Sequence, residues 1–505
     1  MENLKLVIEP DASRLLTEIS RFLAEKEIPA FIVGGLVRDM LLGRATVDID
    51  IAVAADALEV ARDVAAALGG TCVQLDDVNR VGRVVLPDKK WQVDFTTLTG
   101  DIGQDLARRD FTIDAMAIEL GKNLETVLDI KNLIDPFHGR DDLRRRLVKA
   151  VNDTVFETDA ARLIRAVRIA AELDFRIDDA TEKLIFKNSR LITGVAGERL
   201  REELLRLLAL AGAGQRLFYL DKLGLLTALV PELSPAKGVD QPEVHAWDVF
   251  DHSLQTVSAV EFVLREATWQ FAGENVLALV PWSDKLSRHF NREISRGSTG
   301  RSLLKLAALF HDIAKPQTRT MDDGRARFLG HPEAGAAIAA AIMERLRFSN
   351  REIQLVALLV KYHLRPTQMS NEGLPTNRAV YRFFRDTGAA GIDLIFLCLA
   401  DHLATRAASL DPLQWQEHTR MTEYVLAKHF EEENLSAPPK IIDGHDVMKS
   451  LKLTPGPVVG ELLEALREAQ AAGEITTRAQ GLAYLKRLFH ERTGNIGSEP
   501  TWREK

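Results

Sequence analysis

Apolar residues change their rhythm along the chain. From 31 to 135, short β-branched runs alternate with helical stretches, whereas from 140 to 235 apolar positions recur at helical spacing throughout. Residues 31–33 read as a short strand running into Gly34-Gly35, and residues 47–53 as a second strand. Ahead of them, residues 12–25 read as an amphipathic helix. Behind them, 161–173, 180–187 and 198–210 read as helices. Asp135-Pro136 and Gly139 punctuate the end of the first region, and a Pro/Gly/Ser-rich stretch at 232–244 predicts a boundary. Residues 270–300 interrupt the helical pattern and read as an insertion. A Gly-Pro turn at 456–457 precedes a further amphipathic helix. The pattern predicts an α+β protein, with an α/β head holding a mixed sheet on a mostly helical body.

Length allows this to be several bodies, since 505 residues suffice for three or four domains. A net charge of −8 argues against broad non-specific nucleic-acid binding, yet a local basic track survives. Residues 140–168 hold eight Lys or Arg against five Asp or Glu, including Arg144-Arg145-Arg146. Cys72 and Cys398 make neither a disulfide framework nor a metal spacing, as expected of a reducing cytoplasm. No apolar run is long enough to span a bilayer, and the first residues lack the order of a signal peptide. A cytoplasmic protein with no membrane partner is the expectation.

The chemistry begins with Asp48-Ile49-Asp50. Side chains at i and i+2 of a strand share a face, so these two carboxylates project together and repel unless a cation lies between them. Mg²⁺ suits them, because it takes oxygen ligands and keeps its remaining positions for water and phosphate. Two such ions can clamp both oxygens of an in-line displacement. Upstream, Gly34 and Gly35 let backbone approach a phosphate, the helix behind them offers free N–H groups, and Arg38 in its first turns could reach a triphosphate.

With Arg108-Arg109-Asp110 behind it, this layout resembles the class II tRNA nucleotidyltransferases, which include CCA-adding enzymes and bacterial poly(A) polymerases. The resemblance runs through most of the chain. Gly34-Gly35, Arg38-Asp39 and Asp48-Ile49-Asp50 match the first motif. Residues 108–115, RRDFTIDA, match the second, which contacts sugar and phosphates; Asp114 stands where the family usually has Asn. Residues 135–139, DPFHG, match a hinge between head and neck. Residues 159–168, DAARLIRAVR, match the motif that reads the incoming base; Thr158 stands where Glu is usual. Arg165 and Arg168 belong to this motif and join the nucleotide-binding set. Residues 195–208 resemble a helical motif that stiffens the neck. Physically, Asp159, Arg162 and Arg165 recur every three residues and are predicted to share one helix face, where a carboxylate accepts from an exocyclic amine and a guanidinium donates to a ring acceptor. Asp94, in WQVDF, is a weaker candidate for a third carboxylate.

A second constellation follows 236. His252, His311-Asp312, His331, His363 and Asp401 all fall in helical contexts or at helix ends, in the order of the HD phosphohydrolase superfamily. Imidazoles and carboxylates together suit a divalent ion of uncertain identity. His311 and Asp312 are adjacent, so they can grip one ion only at a distorted or terminal helix position, and Asp312 could bridge to a second ion held by His331 and His363.

The expectation is therefore a polymerase-β-like nucleotidyltransferase head at 1–138, a helical neck and base-template region at 139–235, an HD region at 236–430 and a helical tail at 431–505. The resemblance implies that tRNA 3′ ends are extended with CTP and ATP, adding CCA or part of it. In that scheme Asp48 and Asp50 hold Mg²⁺, Gly34, Gly35 and Arg38 cradle the triphosphate, Arg109 and Asp110 set the sugar, and Asp159 and Arg162 read the base. It also implies phosphatase action by the HD region on RNA ends, including 2′,3′-cyclic and 2′-phosphates. CC addition alone is an alternative. So are a poly(A) polymerase and a phosphohydrolase whose head only recognises RNA. Only FTTLTGDIGQ separates Asp94 from Asp105, whereas family members that complete CCA usually carry a longer, flexible loop there.

Overall fold

The computed structural model describes residues 9–76, 80–87, 90–121, 132–242, 245–323, 325–369, 373–434 and 441–494. Contacts divide the chain into two units: Met1–Leu207 with Tyr219–Leu229, and Leu208–Phe218 with Val230–Lys505. The crossing at Val230 falls near the predicted boundary at 232–244. Head and neck share one unit, and the HD and tail regions share the other.

The first unit opens with the helix Pro10–Glu25, whose Leu15, Leu16, Ile19 and Leu23 line its buried face. The strands are β1 (Ala30–Val33), β2 (Asp48–Val53), β3 (Thr71–Asp76), β4 (Val81–Val85), β5 (Gln92–Thr97), β6 (Ala117–Glu119) and β7 (Leu133–Ile134). They form one seven-stranded sheet in the order β3-β4-β5-β2-β1-β6-β7. Only β2 and β5 run parallel, and the helix Ala57–Leu68 lies in the crossover that a parallel pair requires. The mixed sheet is as predicted. Its register sets the chemistry: Asp50 on β2 faces Asp94 on β5, and Arg83 on β4 faces Asp94 from the other side.

Beyond Gly139 the first unit is mainly helical, as its pattern predicts, with helices Arg162–Leu173, Asp179–Asn188 and Gly197–Ala209. The short strands Leu147–Val148 and Arg176–Ile177 pair inside this region, a departure from a purely helical reading. The hinge motif has a local mechanism. Asp135 accepts from the N–H groups of Gly139 and Arg140 at 2.7 and 3.0 Å and so begins the helix Gly139–Arg144.

The second unit is helical. The helices Val249–Val263, Gly300–Phe310, Asn350–Tyr362 and Ala390–Arg406 pack around an apolar core that includes Leu254, Val257, Phe310, Val356 and Phe396. The predicted insertion at 270–300 holds helices Glu274–Leu277 and Asp284–Asn291 and a small hairpin. Trp282 stacks on Phe290, and both pack their edges against Phe396, so the insertion adds to the core. The strap 208–218 is tied in by a buried ion pair. Glu261 accepts from the N–H groups of Ala213 and Gly214, and Lys305 donates to Glu261 and to the Leu208 carbonyl. The tail has its own core of Val447, Leu462, Leu466 and Leu485. Its helix Pro457–Ala471 presents Glu464 and Glu468 to Arg382 and Arg385 of the helix Asn377–Thr387. No single described helix is long and apolar enough to cross a membrane.

Candidate active sites of the head and the HD unit

Three carboxylates gather on the head sheet. Asp48 and Asp50 project from one face of β2, and Asp94 stands beside Asp50 on β5. Arg83 grips Asp94 with two hydrogen bonds of 2.7 Å, so one of the three charges has a fixed partner. Asp50 lacks such a grip. Burial, with Asp94 and Asp48 nearby, outweighs the opposing pull of Arg109 and Arg165 and pushes its carboxyl up to about 6. Uncompensated negative charge at this spot is what a divalent cation relieves. The donor set of two or three carboxylates fits Mg²⁺ chemistry.

Gly34 makes the approach possible. Its φ is +73°, a left-handed value that disfavours other residues, and a Cβ there would lie 2.8 Å from Arg109 Nη1 and 3.2 Å from Asp50 Oδ2. The Arg109 guanidinium and the Asp50 carboxylate therefore both lie against the glycine turn. Arg109 also lines a cleft of about 890 Å³, with Arg108, Asp110, Asp159, Arg162, Arg165 and Arg199, whereas Asp48, Asp50 and Gly34 are not among its lining residues. Asp101 caps the helix Ile102–Ala107 through the Gln104 N–H at 2.9 Å, and the two arginines follow that helix directly.

The structure brings most predicted residues together and turns two away. Arg38 spends its guanidinium on Asp39 and Asp114, at 2.8–3.2 Å, with its side chain only 13% exposed. It braces the second motif from behind and does not line the cleft. Asp114 gives the reason: an anion at that position takes up the cation. Arg168 is likewise buried, between Glu203 and Glu172, so the motif's last arginine is a core ion pair of the neck.

Asp159 also departs from its predicted place. Its backbone is extended, and the helix starts only at Arg162, so Asp159 and Arg165 do not share a helix face. The Asp159 carboxylate instead accepts two hydrogen bonds from Arg199, at 2.9 and 2.8 Å, and one from the Ala161 N–H. These bonds overcome the effect of partial burial and hold the carboxyl below its ordinary range. Arg162 donates to the Arg108 carbonyl at 2.8 Å, which links the 159–168 segment to the 108–115 segment. Arg165 donates to Asp110 at 2.7 Å. Burial alone would raise the Asp110 carboxyl, but Arg165 and Arg162 keep it ionised. Arg199 is the residue that sequence reasoning missed. It lies 40 positions from Asp159, in a helix read only as a stiffener.

The HD constellation closes as predicted. His252, His311 and Asp401 bring their ligand atoms within 4.8 Å of one another, and so do Asp312, His331 and His363. Asp312 joins the two trios: Oδ2 is 3.2 Å from His311 Nε2 and 3.6 Å from His252 Nε2, while Oδ1 is 3.3 Å from His331 Nε2. His311, His331 and His363 each hold a backbone carbonyl through Nδ1 at 2.7 Å, which leaves Nε2 free to ligate. The Nε2 atoms of His252 and His311 and Oδ1 of Asp312 are buried without hydrogen-bond partners. Buried orphan acceptors converging on one spot fit divalent ions. Burial and the nearby His311 push His363 down to about 4, so its imidazole is neutral. Two neighbours went unread in the sequence. Lys315 Nζ lies 2.6 Å from Asp312, and His245 packs its ring edge-on to His252.

The poly A polymerase head domain family matches residues 30–99 and 80–149, a probable RNA- and SrmB-binding site of polymerase A matches 174–237, and the HD domain family matches 282–406. The A-adding tRNA nucleotidyltransferase of Deinococcus radiodurans is 33% identical over 92% of this chain and 97% of its own length. The CC-adding tRNA nucleotidyltransferase of Thermus thermophilus is 34% identical over 90% and 93%. The solved Thermotoga maritima CCA-adding enzyme, complexed with tRNA, shares the fold with a TM-score of 0.60, at 22% identity over 95% of this chain and 96% of that one. Head motifs, neck, HD domain and full-length relatives agree: the chain belongs to the tRNA nucleotidyltransferase family.

Proposed function

We propose that the chain adds cytidines to the 3′ end of tRNA and stops after two. The observation that carries this is the connection after β5, where only Leu98, Thr99, Gly100 and Asp101 precede the helix Ile102–Ala107. A tether this short has no slack to follow a rearrangement of the base pocket when C gives way to A. Of the two relatives above, each matched over most of its length, one carries the name CC-adding, which fits this reading, and the other A-adding, which the same short tether would also allow. Full CCA addition, the broader expectation from the motifs, would need that movement from another segment.

In this scheme the tRNA 3′-hydroxyl attacks the α-phosphate of CTP and pyrophosphate leaves. Asp48 and Asp50, with Asp94 behind them, would hold Mg²⁺, which neutralises developing charge on the phosphates. Gly34 and Gly35 admit the triphosphate beside Arg109. Arg165 fixes Asp110 for the sugar. Asp159, oriented by Arg199, and Arg162 present an acceptor and donors to the base edge. The product ladder tests the reading: with CTP and ATP together, a stop at plus two supports it, and a clean plus-three product ending in A overturns it.

The HD unit supports a second activity, phosphoester hydrolysis at RNA ends, carried by the Asp312 bridge between its ligand trios. Bound divalent ions would polarise the phosphate and activate water. Water adds to phosphorus, one ester P–O bond breaks, and the released ribose oxygen takes the proton. Head 1–138, neck 139–235, HD region 236–430 and tail 431–505 are the proposed working parts, and the cytoplasm is the proposed setting.

A further inference from the structure

Between two HD ligands, Asp312 and His331, the chain leaves the core as an exposed hairpin, Arg319–Asp322 paired with Arg325–Phe328. Cross-strand partners share a face, so its register sorts the side chains. Arg319 pairs with Phe328 and Met321 with Ala326, which puts Arg319, Met321 and Phe328 on one face. Arg325 and Arg327 fall on the other, where Arg327 pairs with Asp322 at 2.8 Å.

The first face points back to the metal ligands. Lys315 Nζ lies 5.6 Å from the Phe328 ring centroid and 2.6 Å from Asp312. The Phe328 carbonyl holds His331 Nδ1 at 2.7 Å. A track thus runs outward from the six-residue centre over Phe328 to Arg319 and Met321. Met321 is 62% exposed, a large apolar side chain kept in water beside a cation, and Arg319 has no ion-pair partner among the described residues. A half-exposed ring, an apolar side chain and an unpaired guanidinium in a row match one ligand chemistry. Bases stack on such rings while a cation follows the backbone phosphates of a single strand.

We propose that this hairpin face seats the last nucleotides of a single-stranded RNA whose 3′ phosphate reaches the HD centre. The inference rests on the phosphohydrolase reading for its chemistry and its RNA-end substrate, and it adds the surface that holds the strand: the hairpin face of Phe328, Arg319 and Met321.

The test uses the full chain and an oligoribonucleotide with a 3′ phosphate and a 4-thiouridine in the penultimate position. On irradiation the cross-link should map to residues 319–328. Arg319→Glu should cut its yield at least tenfold, and Arg325→Glu, on the other face, should not. Arg319→Gln, with its fold checked by circular dichroism, guards against misfolding and should give an intermediate loss. In parallel, the rate ratio for an RNA 2′,3′-cyclic end over a cyclic mononucleotide should fall at least tenfold in Arg319→Glu. A cross-link mapping elsewhere, or equal losses from Arg319→Glu and Arg325→Glu, overturns the proposal. So does a change of sedimentation with Arg319→Glu alone, which would make the face an interface between copies. If the wild type hydrolyses neither substrate with Mg²⁺, Mn²⁺, Co²⁺ or Ni²⁺, the phosphohydrolase reading fails, and the cross-link still decides the hairpin.

Discussion

Asp50→Asn should make the metal-free head more stable while abolishing nucleotide addition. The wild-type carboxyl is pushed up to about 6 from its ordinary 3.8. Each unit is worth about 1.4 kcal/mol, so ionising Asp50 in the folded head costs at most about 3 kcal/mol. Relaxation of the surroundings offsets part of this, and about 1–3 kcal/mol is the expected range. The sign follows from proton uptake. Below pH 4 Asp50 is protonated both folded and unfolded, and it contributes nothing. From about 4 to 6 the folded state holds more protons, so wild-type stability falls as pH rises. Above 6 the full cost is present. The amide bears no such cost, so the advantage of Asp50→Asn should be small at pH 4 and grow to about 1–3 kcal/mol by pH 7. Hydrogen exchange of β2 and β5 peptides, in chelator across this range, reads the head separately from the HD unit. Added Mg²⁺ should reverse the order. An ion at 100 times its Kd stabilises the wild type by about 2.7 kcal/mol and finds no full site in the variant. A pH-independent difference, or a less stable variant in chelator at pH 7, would refute the reasoning.

Other consequences are simpler to check. Arg199→Ala should lower kcat/KM for CTP about tenfold with little loss of stability, because it frees the Asp159 carboxylate from its two-point support; single-turnover incorporation measures this. Gly34→Ala should reduce nucleotide addition at least tenfold and cost about 1–3 kcal/mol, since its Cβ meets Arg109 at 2.8 Å with a positive φ; addition assays and thermal unfolding check both. Asp312→Ala should weaken divalent-ion uptake by the HD unit in calorimetry, since the trio with His331 and His363 loses its carboxylate while His252, His311 and Asp401 keep theirs, and it should leave addition by the head intact.

Where the sequence carried its meaning locally, it was readable. Asp48 and Asp50 follow from the two-residue period of a strand. The six HD residues follow from their order along the chain, which resembles that of a known superfamily, and from their places in helices or just past helix ends. What stayed hidden depends on long-range pairing. Nothing in the period of 159–165 reveals that the chain is extended at Asp159, or that its carboxylate is claimed by Arg199 from another helix. Arg38 and Arg168 read as cleft arginines because an arginine looks the same whether it faces phosphate or a buried Asp or Glu. Only Asp114 and Glu203 decide between the two. The role of Asp94 needed the β2–β5 register, which no single strand displays.

The strap at 208–218 has a consequence for how the chain is made. The ribosome delivers Leu208, Ala213 and Gly214 well before their partners: Glu261 follows Ala213 by 48 residues, and Lys305 follows Leu208 by 97. At synthesis rates of about 5–20 residues per second, Leu208 waits roughly 5–20 s for its lysine. Throughout that interval the nascent strap must keep its backbone groups satisfied by water. Residues 219–229, which belong to the first unit, emerge during the wait. The first unit can therefore finish folding only around a segment already promised to the second, which makes this crossing the natural place for translation pausing or a holding chaperone to matter.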